Sequence, residues 1–304
     1  MRLVFIATGD IALPSFQKLL EEGPRPLALI TQPDKPSGRH LTMTAPAIKT
    51  LALEANVPVL QPEKIGSAKD EIAALQPEVI VVMAYGQILP QRVLSIASRA
   101  IINLHASLLP RFRGAACIQA AIDAGDPETG ITAMHVVRAL DAGAMIAARS
   151  IAIHPQETGG SLHDRLAQLA PEVMLDALKK ISINSAEGVP QDDAASSYIG
   201  KLERDDGAID WHQSAAHIER RIRAYDPWPG TFTHDAVSKK RIKIFPPTTC
   251  HDEVIPIGQL VNHSGRWLIG CGSGALEIQQ VQADGGRRMA IHDFQRGQAA
   301  TAFF

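Results

Sequence analysis

The chain has 304 residues, 45% of them hydrophobic, which is enough for two domains that each bury a core of their own. A formal charge of -2 gives no overall basic excess, so composition by itself does not point to nucleic acid. Three cysteines (Cys117, Cys250 and Cys271) are too few for a disulfide framework and suit a reducing cytoplasm, and with no CxxC or HExxH spacing no metal site is expected.

The opening run Met-Arg-Leu-Val-Phe-Ile is too short for a signal peptide or a membrane span, and residues 2–7 read as a first strand. Thr8-Gly9-Asp10 is a turn, and Pro14 suits the first turn of a helix running to residue 22. Strand, glycine turn and helix open a doubly wound, mostly parallel α/β fold of the Rossmann kind. Gly9 stands alone, without the G-x-G-x-x-G spacing, so a dinucleotide site is not expected. Residues 27–31 read as a second strand. It leads into a polar, proline-rich stretch over 32–40 whose plain reading is a surface loop. Helices over 47–55 and 66–75 flank an extended piece at 57–60. The unbroken apolar run over 78–83 suits a central parallel strand. It ends in Ala84-Tyr85-Gly86, and ligands of open α/β sheets sit beyond the carboxyl ends of the strands. Tyr85 taken alone is a packing aromatic.

Residues 100–105 form another apolar, β-branched strand, but Asn103 and His105 interrupt it at alternate positions. Residues two apart in a strand share a face, so an amide donor and an imidazole project together at its end. Such a pair can hold a developing oxyanion; the plain alternative is one satisfied core histidine. Pro110 ends this stretch, Arg111 and Arg113 follow in a short loop, and a helix spans 115–124. Strands over 129–137 and 145–153 flank the turn Leu140-Asp141-Ala142-Gly143 and read as a hairpin, in which Asp141 alone would be a turn-former. Leu162, Leu166, Leu169, Val173, Leu178 and Ile181 form the apolar stripe of a helix over 161–181. Residues 182–200 are rich in Ser, Asn, Asp and Gly and lack periodicity, which suggests an interdomain linker between domains at 1–181 and 201–304.

The second domain opens with a helix over 214–223, whose Arg220, Arg221 and Arg223 complement the helix dipole. A stretch dense in proline and aromatics follows at 224–232. Short strands over 241–245, 257–261, 267–271 and 275–281 then suggest a small, OB-like β-barrel. Two local basic clusters, Lys239-Lys240-Arg241-Ile-Lys243 and Arg287-Arg288, could meet phosphates or simply solvate the barrel surface.

The string Asn103-x-His105-x-Ser107-Leu108-Leu109-Pro110 resembles the signature of the folate-dependent formyltransferases. Its continuation, Arg111-Phe-Arg-Gly-Ala-Ala-Cys-Ile-Gln119, is similar to the branch that acts on methionyl-tRNA. The Trp-Pro-Gly-Thr-Phe and Gly-Ala-Leu-Glu-Ile segments resemble that branch's C-terminal domain, so the resemblance runs, with gaps, over nearly the whole chain. It implies a catalytic set of Asn103, His105 and Asp141, and a folate pocket beside Ser107, Leu108, Leu109, Pro110, Tyr85 and Gly86. It also implies 10-formyltetrahydrofolate as formyl donor, no metal, and the α-amine of initiator methionyl-tRNA as acceptor. The loop with Arg39 would lie against the acceptor arm, and Lys239, Lys240, Arg241 and Lys243 would meet RNA. Two departures stand out. The family turn continues Thr-Gly-Asp where this chain has Ala142-Gly143-Ala144, so a second carboxylate is absent. Relatives carry lysines after Gly38-Arg39 where this chain has His-Leu-Thr-Met.

No activated nucleophile is evident, since Ser107 lacks a G-x-S-x-G elbow. Direct transfer to a bound amine fits better, with Asn103 and protonated His105 meeting the oxyanion. Asp141 would keep His105 charged and help take the amine's proton. A monomeric cytoplasmic enzyme is expected. A sugar-nucleotide N-formyltransferase, or a catalytically silent tRNA- or folate-binding protein, are the alternatives.

Overall fold

A computed structural model describes residues 1–37, 41–297 and 300–304. In chain order the elements of the first half are β1 (Leu3–Ala7), α1 (Leu13–Glu21), β2 (Ala28–Ile30), β3 (Lys35–Ser37), β4 (Thr42–Thr44), α2 (Ala47–Glu54), β5 (Val59–Leu60), α3 (Lys69–Ala74), β6 (Val79–Met83), α4 (Gln91–Leu94), β7 (Ala100–His105), β8 (Arg113–Gly114), α5 (Cys117–Ala124), β9 (Glu128–His135) and β10 (Met145–Ala152). The second half holds α6 (Gly159–Ser182), β11 (Tyr198–Ile199), α7 (Ala215–Ala224), β12 (Thr231–His234), β13 (Arg241–His251), β14 (Leu260–His263), β15 (Arg266–Gly270), β16 (Ala275–Ala283), β17 (Met289–Ala290) and α8 (Ile291–Gly297).

The chain divides into two compact units. The first comprises residues 1–114, 129–151 and 163–199; the second comprises 115–128, 152–162 and 200–304. Residues 182–199, which carry no periodicity in the sequence, thus pack with the first unit, and two short internal segments pack with the second.

The first unit is built on a seven-stranded sheet in the order β10-β9-β7-β6-β1-β2-β5. The pairs β1/β2, β1/β6, β2/β5 and β6/β7 are parallel, and β7/β9 is antiparallel. β1 and β6 are buried along their whole length, as their unbroken apolar sequences require of strands covered on both faces. The order reverses at β1, with β2 on one side and β6 on the other. This switch point puts the carboxyl ends of β1, β6 and β7 at one end of the sheet. There the Gly9 N–H donates to the Ala84 carbonyl at 3.0 Å and ties the two turns together. The loop expected over 32–40 contains part of a two-stranded hairpin, β3/β4.

The second unit is an antiparallel sheet in the order β12-β13-β16-β15-β14, with β17 alongside β16. α7 packs on β13 and β16 and against α5. The Ser214 hydroxyl caps α7 by accepting from the His217 N–H. Ile218, Ile222, Ile242, Ile244, Leu276 and Ile278 belong to one buried core. The last residues join both edges of the sheet. Phe304 exchanges backbone bonds with His234 at the end of β12, the Phe303 N–H donates to the Gly258 carbonyl, and the Leu260 N–H of β14 donates to the Thr301 carbonyl. This closes the sheet towards a barrel, as the short alternating strands suggest. β13 runs on to His251, past the Pro246-Pro247 pair where a strand would be expected to stop. A shift of register between Phe245 and Thr248 absorbs the two residues that lack N–H donors.

Candidate active site

β7 delivers Asn103 and His105 to the carboxyl end of the sheet, two residues apart and therefore on one face. His105 is 6% exposed, and the Asp141 side chain 13%. The His105 Nε2 lies 2.8 Å from the Phe112 carbonyl, which can only accept, so this nitrogen carries the hydrogen. Nδ1 is thereby turned toward Asp141, with 3.6 Å to Oδ2. That is ion-pair range but too long for a hydrogen bond. The same carboxylate oxygen accepts from the Gly114 N–H at 2.8 Å.

Asp141 itself has a left-handed backbone, φ 51°, which a non-glycine residue adopts at some cost. Its turn is held from two sides. The Gln191 amide donates to the carbonyls of Asp141 and Gly143, both at 2.8 Å. Gly143 lies so close to the His135 backbone that a Cβ would fall 1.8 Å from that carbonyl oxygen, so the approach requires glycine.

The loop after β7 is pinned by buried groups. The Thr132 hydroxyl donates to the Ser107 carbonyl at 2.7 Å and accepts from the Leu109 N–H at 3.2 Å. The Ser107 hydroxyl, wholly buried, donates to the Arg111 carbonyl at 2.7 Å, which removes it from nucleophilic work. Leu109 is buried, while Leu108 and Pro110 are half-buried. Across the switch point, the Gln32 amide donates to the Tyr85 carbonyl at 2.6 Å. The residues on either side of it, Ala84 and Gly86, are exposed. Tyr85 is 2% exposed and its hydroxyl has no partner among the described residues; burial pushes the phenol up to about 12, so it stays neutral. No cluster of three His, Cys, Asp or Glu among the described residues is placed to hold a metal ion.

Sequence reasoning passed over Arg113, Gln191 and Thr132. Arg113 sits in the motif but reads there as a loop cation. It is 2% exposed, and β8 is a short strand that pairs in parallel with β11. Its guanidinium donates to the Gln191 side-chain oxygen, the Tyr198 hydroxyl and the Asp193 carboxylate at 2.9, 2.8 and 2.7 Å. Burial works against the charge, but the Tyr198 and Asp193 bonds more than offset it and hold the guanidinium pKa above its ordinary value. Gln191 lies in a stretch without periodicity and offers no local signal.

Arg39 lies outside the described residues. In the second unit Lys239, Lys240 and Lys243 are exposed, whereas Arg241 is half-buried with its guanidinium over the Phe232 ring at 3.4 Å. Alternation along β13 sends Arg241 and Lys243 outward while Ile242 and Ile244 enter the core. Lys239 lies over the Phe304 ring, and Arg288 over that of Phe245.

Known proteins resemble this chain over nearly its whole length. A methionyl-tRNA formyltransferase of Akkermansia muciniphila is 51% identical over 298 residues, covering 96% of this chain and 95% of its own. Among solved structures, an N-formyltransferase from Helicobacter canadensis in complex with folinic acid and dTDP-3-aminofucose superposes with a TM-score of 0.68 at 18% identity, covering 92% of this chain and 99% of its own. HypX from Aquifex aeolicus in complex with tetrahydrofolic acid gives 0.65 at 17% identity and covers 97% of this chain, which spans only 47% of that protein. At such identities these two structures establish the fold alone. Residues 1–178 match the family described as Formyl transferase, and residues 201–299 its C-terminal domain. This chain belongs to the formyl transferase family.

Proposed function

We infer that the chain transfers the formyl group of 10-formyltetrahydrofolate to the α-amino group of methionine on initiator methionyl-tRNA, in support of translation initiation. The observation that carries this is the His105–Asp141 pair, in which the turn between β9 and β10 sets a carboxylate beside the histidine at the carboxyl end of β7, within the residues that match the family. The full-length likeness to a methionyl-tRNA formyltransferase supports the acceptor. The co-substrate supplies an activated one-carbon unit on nitrogen. Exposed Ala84 and Gly86 and the half-buried Leu108 suit a flat ring that needs both polar and apolar contact.

In this reading Asn103 donates to the formyl oxygen as negative charge builds there, and His105 adds a positive charge nearby. Asp141 favours the charged imidazole and receives the proton that the attacking amine gives up; the tetrahedral adduct then collapses as the bond from the formyl carbon to the folate nitrogen breaks, and that departing nitrogen takes up the proton. The Phe112 carbonyl and the Gly114 N–H anchor the two groups, which stand 3.6 Å apart. The second unit carries much of the tRNA affinity through Lys239, Lys240 and Lys243, and Arg39 adds a contact to the acceptor arm. The protein acts as a monomer in the cytoplasm. No helix among the described residues is long and apolar enough to cross a membrane.

The test is an assay with purified protein and 10-formyltetrahydrofolate, offered charged initiator methionyl-tRNA and, separately, dTDP-amino sugars. Formylation of the tRNA alone is expected. Formylation of a sugar would move the chain to the sugar-nucleotide enzymes, and neither product would make it a silent binder.

A further inference from the structure

We propose that Gln191 is a positioning residue for Asp141, and that the segment 191–199 fixes the carboxylate turn in the geometry that formyl transfer needs. The proposal rests on the role given to Asp141 above. Both members of the reacting pair hang on residues 112–114: the His105 ring on the Phe112 carbonyl, and the Asp141 carboxylate on the Gly114 N–H. Those three residues hang in turn on 191–199. The Phe112 N–H donates to the Ser197 hydroxyl at 2.9 Å, and the Arg113 N–H to the Ser197 carbonyl at 2.8 Å. The guanidinium of Arg113 binds Gln191, Asp193 and Tyr198.

Gln191 touches both sides of this arrangement. Its side-chain oxygen accepts from Arg113, and its amide nitrogen reaches the carbonyls on either side of Ala142. An amide is the one side chain of this length that supplies an acceptor on one arm and two donors on the other. The left-handed backbone of Asp141 makes this hold consequential, because relaxation of the turn toward an ordinary conformation would swing the carboxylate away from His105. Misplacement of a reacting group by about 1 Å is enough to cost roughly 10²-fold in rate.

Gln191→Glu separates the two arms. It keeps the acceptor for Arg113 and sets a carboxylate oxygen against two carbonyl oxygens. The expected result is a kcat about 10- to 100-fold lower, with KM for either substrate within about threefold of wild type. On an Asp141→Asn background the same change should alter kcat by less than about twofold, because its effect passes through Asp141. If Gln191→Glu fails to fold, Gln191→Met, of the same length and without either arm's bonds, takes its place in the cycle. A normal kcat in the variant that folds would overturn the proposal. An equal loss on both backgrounds would also overturn it, since that is what a merely structural residue gives. If Asp141→Asn by itself kept wild-type turnover, the reading of the site would fall and the proposal with it. That outcome shows in the single variant, before Gln191 is touched.

Discussion

Two parts of the first unit meet at Asp141, and they hold it differently. On one side, His105 and the Asp141 carboxylate stand 3.6 Å apart, beyond hydrogen-bond range. On the other, Gln191, Arg113, Asp193 and Tyr198 form bonds of 2.7–2.9 Å, and Gln191 grips the backbone of the same turn at 2.8 Å. Each member of that pair is anchored by a backbone group at 2.8 Å, His105 by the Phe112 carbonyl and Asp141 by the Gly114 N–H, and the 3.6 Å lies between the two anchored groups. The groups that keep the pair in place should be as fully bonded as the chain allows. The contrast separates the side chains expected to take part in the reaction from those expected to hold them in place, whose loss should show in stability and, where the turn shifts, in rate as well.

The largest effect should come from the reacting pair. Asp141→Asn keeps shape and removes charge, and loss of a general acid–base group typically costs ~10²–10⁴ in kcat. The thermal melting temperature should stay within a few degrees, because the Gly114 N–H retains an acceptor. Near-normal turnover with intact folding would reduce Asp141 to a turn residue. Asn103→Ala comes next, at ~10²–10³ in kcat for removal of one oxyanion donor, again with little change in melting. A melting point that collapses in step with activity would erase the distinction between the two sides.

The tight side should respond in the opposite sense. Gly114 has φ 105°, and a Cβ there would meet the Ile199 carbonyl oxygen at 2.2 Å. Gly114→Ala should therefore cost about 1–3 kcal/mol of stability, read from denaturant unfolding. An unaltered unfolding midpoint would show that the β8/β11 pairing gives way freely and clamps nothing. The smallest effects belong to the second unit, where the same contrast recurs among cations. Exchanging exposed Lys239, Lys240 and Lys243 for Gln should weaken tRNA binding and lower the salt slope by ~1 for each phosphate no longer neutralised. Arg241→Gln should act mainly on stability, because its guanidinium covers Phe232. Salt titrations of both variants check this; a slope that moves only with Arg241 would reverse the assignment.

The sequence by itself determined whatever local periodicity and local chemistry decide. The apolar runs of β1 and β6 specify buried parallel strands, and the stripe from Leu162 to Ile181 specifies α6. The alternation of Asn103 and His105 places an amide and an imidazole on one strand face, and the family motif around them identifies the reaction. Tertiary structure decided everything that depends on a distant partner. Pro246-Pro247 should end a strand, yet β13 continues because pairing with β16 tolerates a bulge there. Residues 182–199 look like a linker because their Gln, Asp and Ser groups follow no period, and their meaning appears only across the fold. Gln191 finds the Asp141 carbonyl 50 residues away, and Tyr198 finds Arg113 85 residues away. Periodicity records which face of an element is apolar. It does not record which polar group, brought near by the packing of those faces, will satisfy which other.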